Sequence, residues 1–240
     1  NSTFAASCGL MFLVAVGLFG GLLLIPLYYQ VVRGQGALNA GLLIAPQGLG
    51  AMIMMPLSGR ITDKYGPGYI VPLGIVLLTV GTLPFTVVHA TTSYGLLIAA
   101  LVVRGLGIGA TMMPVFAAAY RRLPREDVPP AATTMSVIVQ VGGSFGAAVL
   151  AMELTRRIAV NFASHGISVS GASMSQLSSV PASVLNRVAP LLADGFGYAF
   201  WIVLGVTVVG MVPALLLLRD KAPASASDSE ASADTPSPVI

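Results

Sequence analysis

The stretch PLSGRITDKYGPGY, Pro56 to Tyr69, sets Arg60, Asp63 and Lys64 between two runs that are almost wholly apolar, and closes in a cluster of glycine and proline. A short charged segment ending in turn residues between two greasy runs marks a chain that crosses a bilayer and returns. The rest of the sequence agrees. Of 240 residues 55% are hydrophobic and 9% are charged, and mean hydropathy is +0.87, whereas an ordinary soluble domain is roughly a quarter charged. The composition is that of a membrane protein.

The same composition excludes several chemistries. A single cysteine, Cys8, rules out a disulfide framework within the chain, and His89 and His165 with that one thiol leave too few ligands for a structural metal site. The net charge of +3 is not gathered into a basic patch; most Lys and Arg flank apolar runs, where membrane topology accounts for them, so no nucleic-acid partner is expected.

Apolar runs long enough to cross as helices occur six times, near 8–32, 38–58, 69–89, 94–118, 131–154 and 197–218. The expected fold is therefore an all-α membrane protein with a six-span unit over residues 1–218. The long gap at about 157–195 contains SVLNRVAPLL, where Val184, Leu185, Val188, Leu191 and Leu192 share one helical face, and this predicts a short helix lying on the membrane surface. Residues 219–240, rich in Pro, Ala, Ser and Asp, predict a disordered tail. The chain starts at Asn1 without Met and without the basic segment of a signal peptide, as a piece of something longer would.

Basic residues set the orientation. With both ends of the segment in the cytoplasm, that side holds Arg60, Lys64, Arg121, Arg122, Arg125, Arg219 and Lys221, and the other side holds Arg33, Arg156, Arg157 and Arg187. The excess favours this arrangement in a cell membrane, with Arg156 and Arg157 dissenting.

Asp63 is the charge that topology does not require. In GRITDKYG, Gly59 ends the second span, Gly66 begins the turn, and Asp63 can pair with Arg60 or Lys64 or rest against the positive N-terminus of a neighbouring helix. A solvated cytoplasmic turn is the plainer alternative. Arg104, in LVVRGLGIGATMMP, lies about ten residues into the fourth span, roughly 15 Å deep at 1.5 Å per residue. A cation at that depth is costly unless it faces a partner or a polar cavity, so it is a candidate functional residue. Gly105, Gly107 and Gly109 beside it, and Gly142 and Gly146 in the fifth span, read as surfaces for close helix contact. Gly142 to Gly146, GGSFG, also spells the letters of a serine nucleophile elbow, but Ser144 falls inside a helical run without a strand before it or a histidine beside it, and no catalytic residue is assigned. Gln47, Gln140, Gln30 and the methionines Met52 and Met112 are candidates either for a polar or adaptable cavity lining or for bonds and packing between helices. Glu153 is placed to pair with Arg156 and Arg157 on its own helix.

GRITDKYG resembles the loop signature of the major facilitator superfamily, with Gly59, Asp63, Lys64 and Gly66 in its places, although Pro67, Gly68 and Tyr69 stand where basic residues usually follow. RGLGIG resembles that superfamily's fourth-helix pattern through Arg104, Gly105, Gly107 and Gly109, and Ala40 to Gly66 looks like the second half of the fourteen-helix drug:proton antiporter branch. The resemblance implies a C-terminal transporter half that works with an N-terminal half of the same parent chain by alternating access about a midplane site. It implies gating by Gly59, Arg60, Asp63, Lys64 and Gly66 and a cavity or helix-holding role for Arg104. It also implies small amphipathic substrates, no cofactor, and a proton gradient as the energy source. Carriage of a physiological metabolite and a non-transporting scaffold or sensor are the alternatives.

Overall fold

The computed structural model describes residues 2–89, 91–121, 123–164 and 182–217. Among these residues there is no strand, and six helices are long and apolar enough to cross a membrane. They are α1 (Ser2–Leu27, prolonged by a π-helical turn, Tyr28–Val32), α2 (Ala37–Tyr65), α3 (Pro67–Thr86), α4 (Tyr94–Tyr120), α5 (Val128–Ser164) and α6 (Ala182–Val209), after which Gly210 breaks the axis and α7 (Met211–Leu217) completes the last span. The chain is a multi-pass membrane protein in which two of the closest seams, α2 with α4 and α1 with α5, join helices that run the same way: Gly105 and Gly109 meet Gln47 and Ala51 in turn, and Gly142 and Gly146 meet Phe12 and Val16.

Three boundaries differ from the sequence expectation. The second helix does not end at Gly59; it continues through Arg60, Asp63 and Lys64 to Tyr65, so the charged segment is the end of a helix and the turn is Gly66 alone. Arg and Lys are good helix formers, and the helix stops only at Gly66, whose φ of 84° and ψ of 163° a residue with a Cβ avoids. At the far end α5 runs on to Ser164. The segment expected to lie flat on the membrane is instead the start of α6, where Ala189, Leu192 and Ala193 are buried against Leu154, Ile158 and Phe162 of α5. Asn161 Nδ2 donates to Leu191 O at 3.0 Å and fastens the two extended helices to each other. Residues 165–181 and the tail at 218–240, which carried the remainder of the loop and the disorder expectations, lie outside the described residues.

Small residues decide which helices approach closely. A Cβ on Gly105 would collide with Gln47 O of α2, and one on Gly109 would come within 2.8 Å of Ala51 O on the same helix. Gly107 faces α3, where a Cβ would stand 2.6 Å from Leu78 N. Gly142 and Gly146 do the same between α5 and α1, the second at 2.6 Å from Val16 Cα. Without side chains at these seams the backbones interlock, which is how helices associate when lipid removes the hydrophobic incentive. Ser58 reinforces the α2–α4 seam by donating to Gly109 O at 2.8 Å.

The buried side chains form two separate apolar clusters. One gathers at the Tyr94 end around Tyr28, Phe85, Leu97, Leu154, Phe196 and Phe200. The other gathers at the Asp63 end around Met11, Ile70, Ile75, Ile108, Met135 and Ala214. Between them lies a belt of small and polar residues that positions the candidate site.

Candidate functional site

The belt is readable helix by helix. On α4, Arg104 falls between Leu101 of the first cluster and Ile108 of the second; on α3, Thr82 falls between Phe85 and Leu78. On α6 and α7, Thr207 lies between Val203 and Ala214; on α1, Gly17 and Gly21 lie between Val14 and Leu24; on α2, Gln47 lies between Ile44 and Met54. Buried Arg104, Gln47 and Thr82, with half-buried Thr207, thus share one level of the bundle, whereas buried Ser7, Ser58, Thr86 and Thr111 lie nearer its ends.

Arg104 is the centre of this level. It is 2% exposed. Its Nη2–H donates to Gly17 O at 2.8 Å and its Nη1–H donates to Gln47 Oε1 at 3.3 Å. One bond crosses to α1 and the other to α2, so a single side chain on α4 holds three helices. The guanidinium has room because Gly21, one turn beyond Gly17, has no side chain: a Cβ there would overlap the two terminal nitrogens and Cζ. Gly81 of α3 likewise leaves space for the Arg104 backbone, since a Cβ would stand 2.6 Å from Arg104 N. Among the described residues no carboxylate lies within ion-pair distance of Arg104; the ion pairs there are Glu153 with Arg156 and Arg157. The charge is therefore met by a carbonyl and an amide and is not neutralised, with two of the five guanidinium N–H groups accounted for.

The other sequence candidates fall at different places. Gln47 is buried as a ligand of Arg104, while Met52 is exposed on α2, Met112 packs against the cluster at the Asp63 end, and Gln140 is exposed on α5, so these four do not line one cavity. Ser144 is exposed on an uninterrupted α5, without the strand and turn of a nucleophile elbow. Gly142 and Gly146 sit in the α1 seam as described.

At the end of α2, Asp63 and Thr62 line a cavity of ≈ 290 Å³ together with Pro67 of α3 and Ala117 and Arg121 of α4. Asp63 pairs with neither Arg60 nor Lys64, and Lys64 instead directs Nζ towards its neighbour's ring, 5.1 Å from the Tyr65 centroid. Asp63 thus faces the N-terminal end of α3, where Pro67 is the first helical residue, with the Arg121 side chain across the same cavity. Arg60, Asp63 and Lys64 are all exposed.

Other residues at the site stand out in the fold. Gly17, Gly20 and Gly21 in GLFGG of α1 are the counterparts of Arg104 and Leu150, and their small-xxx-small spacing was available in the sequence. At the Tyr94 end, the π-turn after α1 brings Arg33 over the Tyr94 ring at 4.1 Å. Gln35 Nε2 donates to Tyr94 Oη at 2.9 Å, and Tyr28 Oη donates to His89 O at 2.8 Å. These contacts cap the cluster at that end.

Six spanning helices with glycine seams and a buried central cation are the architecture of one half of a helical membrane transporter. In three dimensions the chain is similar to the E. coli fucose:proton symporter FucP, with a TM-score of 0.64, 21% identity, and coverage of 93% of this chain and 51% of that one. It is similar also to FucP in the outward conformation, with a TM-score of 0.65, 22% identity, and coverage of 95% and 52%. The sequence pattern of the Major Facilitator Superfamily matches residues 4–147, and the chain belongs to that superfamily of transporters. It is 32% identical over 229 residues to the multidrug resistance protein B homolog of Mycobacterium tuberculosis, covering 88% of this chain and 42% of that protein. It is 28% identical over 213 residues to the lincomycin resistance protein LmrB of Bacillus subtilis, covering 88% and 41%. The chain thus spans about two-fifths of the length of these curated relatives.

Proposed function

We propose that the chain is the C-terminal half of a proton-coupled exporter of amphipathic drugs, working by alternating access against an N-terminal half of the same protein. The observation that carries the reading is Arg104: a cation held in the central belt by uncharged acceptors with no carboxylate among the described residues to neutralise it. Buried charge in a spanning helix is expensive and is kept where it serves a pathway or a moving seam. The drug assignment is supported by relatives whose names refer to multidrug and lincomycin resistance.

The remaining parts follow from burial and charge. In the apolar 18-residue stretch of α2 only 22% of the residues are buried, and in that of α5 only 28%, against 56% in α1 and α4. Leu42, Leu49, Met52 and Ile53 on α2, and Val137, Val141 and Phe145 on α5, are exposed and apolar, and these are the faces on which the partner half would pack. With the positive ends inside a cell membrane, Asp63, Arg60 and Lys64 lie at the cytoplasmic end of α2, where they would latch the two halves while the outer side is open. The carboxylates of the described residues, Asp63, Glu126, Asp127, Glu153 and Asp194, lie away from the Arg104 belt, so the proton carrier belongs to the other half.

The test is proton movement coupled to substrate. In proteoliposomes holding the full-length protein and a trapped pH indicator, adding a lipophilic cationic dye should drive protons opposite to the dye. Dye flux with no accompanying pH change would overturn the coupling, and proton flux answering only to a metabolite would overturn the drug assignment.

A further inference from the structure

After its bonds to Gly17 O and Gln47, the Arg104 guanidinium has N–H groups left that no acceptor among the described residues meets. The same side chain lines a narrow, partly open cavity of ≈ 10 Å³ between α1, α3, α4 and α6, whose polar walls are Gly17, Thr82 and Thr207 and whose remaining walls are apolar, among them Leu78 and Ile108. That volume is about what the centre of one water molecule requires, on the order of 10–15 Å³.

The chemistry of the walls selects the occupant. Thr82 Oγ1–H donates to Leu78 O at 2.7 Å and Thr207 Oγ1–H donates to Val203 O at 2.8 Å, so both hydroxyls have spent their proton and offer only lone pairs. The cavity therefore presents donors on one side, from Arg104, and acceptors on the others, from the two threonines. A metal or ammonium cation is repelled by the guanidinium. A halide is larger than water and would meet acceptor oxygens at two of its walls. Water alone accepts from a guanidinium and donates to two hydroxyl oxygens at once.

We infer that this cavity is a water site: one ordered water accepts from Arg104 and donates to Thr82 and Thr207, joining α4 to α3 and α6. The arginine is then solvated within the bundle, which explains how its charge is kept at this depth without a carboxylate. The water also continues the belt into the last span, which Arg104 does not itself reach by a hydrogen bond.

The experiment is a structure of the full-length protein at a resolution that shows ordered water, from crystals grown with bromide and repeated for a Thr82→Val/Thr207→Val double variant. The expected result is a single peak without anomalous signal in the wild type, lost in the double variant while the Arg104 bond to Gly17 persists, with a melting temperature several degrees lower. Thr207→Ser should keep the peak, and this decides the matter where the double variant fails to fold. A bromide signal at the site would make it an anion site. No peak beside an ordered Arg104, or a peak that survives the loss of both hydroxyls, would overturn the assignment.

Discussion

Gly21→Ala should destabilise this protein, although the same change in an ordinary helix interior stabilises. On propensity alone, alanine is better than glycine by about 1 kcal/mol in the middle of a helix. At residue 21 the new methyl would occupy the place of the Arg104 guanidinium, which would have to leave its bond to Gly17 O. A buried hydrogen bond to a charged group contributes about 1.5–3 kcal/mol, and a buried charge deprived of partners costs more. The losses outweigh the propensity gain, leaving a net destabilisation of about 1–3 kcal/mol. At roughly 2–4 °C per kcal/mol for a unit of this size, the melting temperature should fall by about 3–10 °C. The informative assay is a double-mutant cycle in detergent with Arg104→Ala as the second change. Once the guanidinium is gone, Gly21→Ala should regain its ordinary sign and stabilise by about 1 kcal/mol. A Gly21→Ala variant that is more stable in the wild-type background, or a cycle with no coupling, would refute the placement of Arg104 against α1.

Two further outcomes are expected. Gly105→Val puts a branched side chain into the Gln47 carbonyl, backbone that cannot yield, and should cost about 3 kcal/mol or more, seen as lost folded yield; normal yield would mean the α2–α4 seam is looser than described. Asp63→Asn in the full-length protein keeps the side-chain shape and should leave membrane insertion intact while slowing transport, measured as flux per inserted molecule; unchanged flux would remove the latch.

The spans, the anomalous depth of Arg104 and the glycine faces at 105, 109, 142 and 146 were legible in the sequence because each is a property of one helix: hydropathy along it, or spacing around it. What was missed depends on pairs. Nothing in the apolar run of α1 announces that Gly21 faces an arginine 83 positions later, because a missing side chain has no signature until its neighbour is known. Gln47 was seen as a polar group with two possible uses, and only the fold chose the Arg104 bond. Helix ends failed for another reason. Hydropathy finds where a helix leaves the apolar layer, not where its hydrogen bonding stops, so α2 continued through its charges to Gly66 and α5 continued past Arg157, whose guanidinium stacks 3.4 Å from the Tyr198 ring centroid of α6. Of the amphipathic stretch SVLNRVAPLL, Ala189 and Leu192 are buried against α5, which covers the apolar side that a membrane surface was expected to cover.

The central claim is that this bundle is half of a gradient-driven drug exporter. It is tested most directly by efflux of a lipophilic cationic dye from proteoliposomes containing the full-length protein, with and without an imposed pH gradient. The account predicts efflux that accelerates with the gradient and collapses when an ionophore dissipates it. Folded protein that moves no dye under either condition would contradict it.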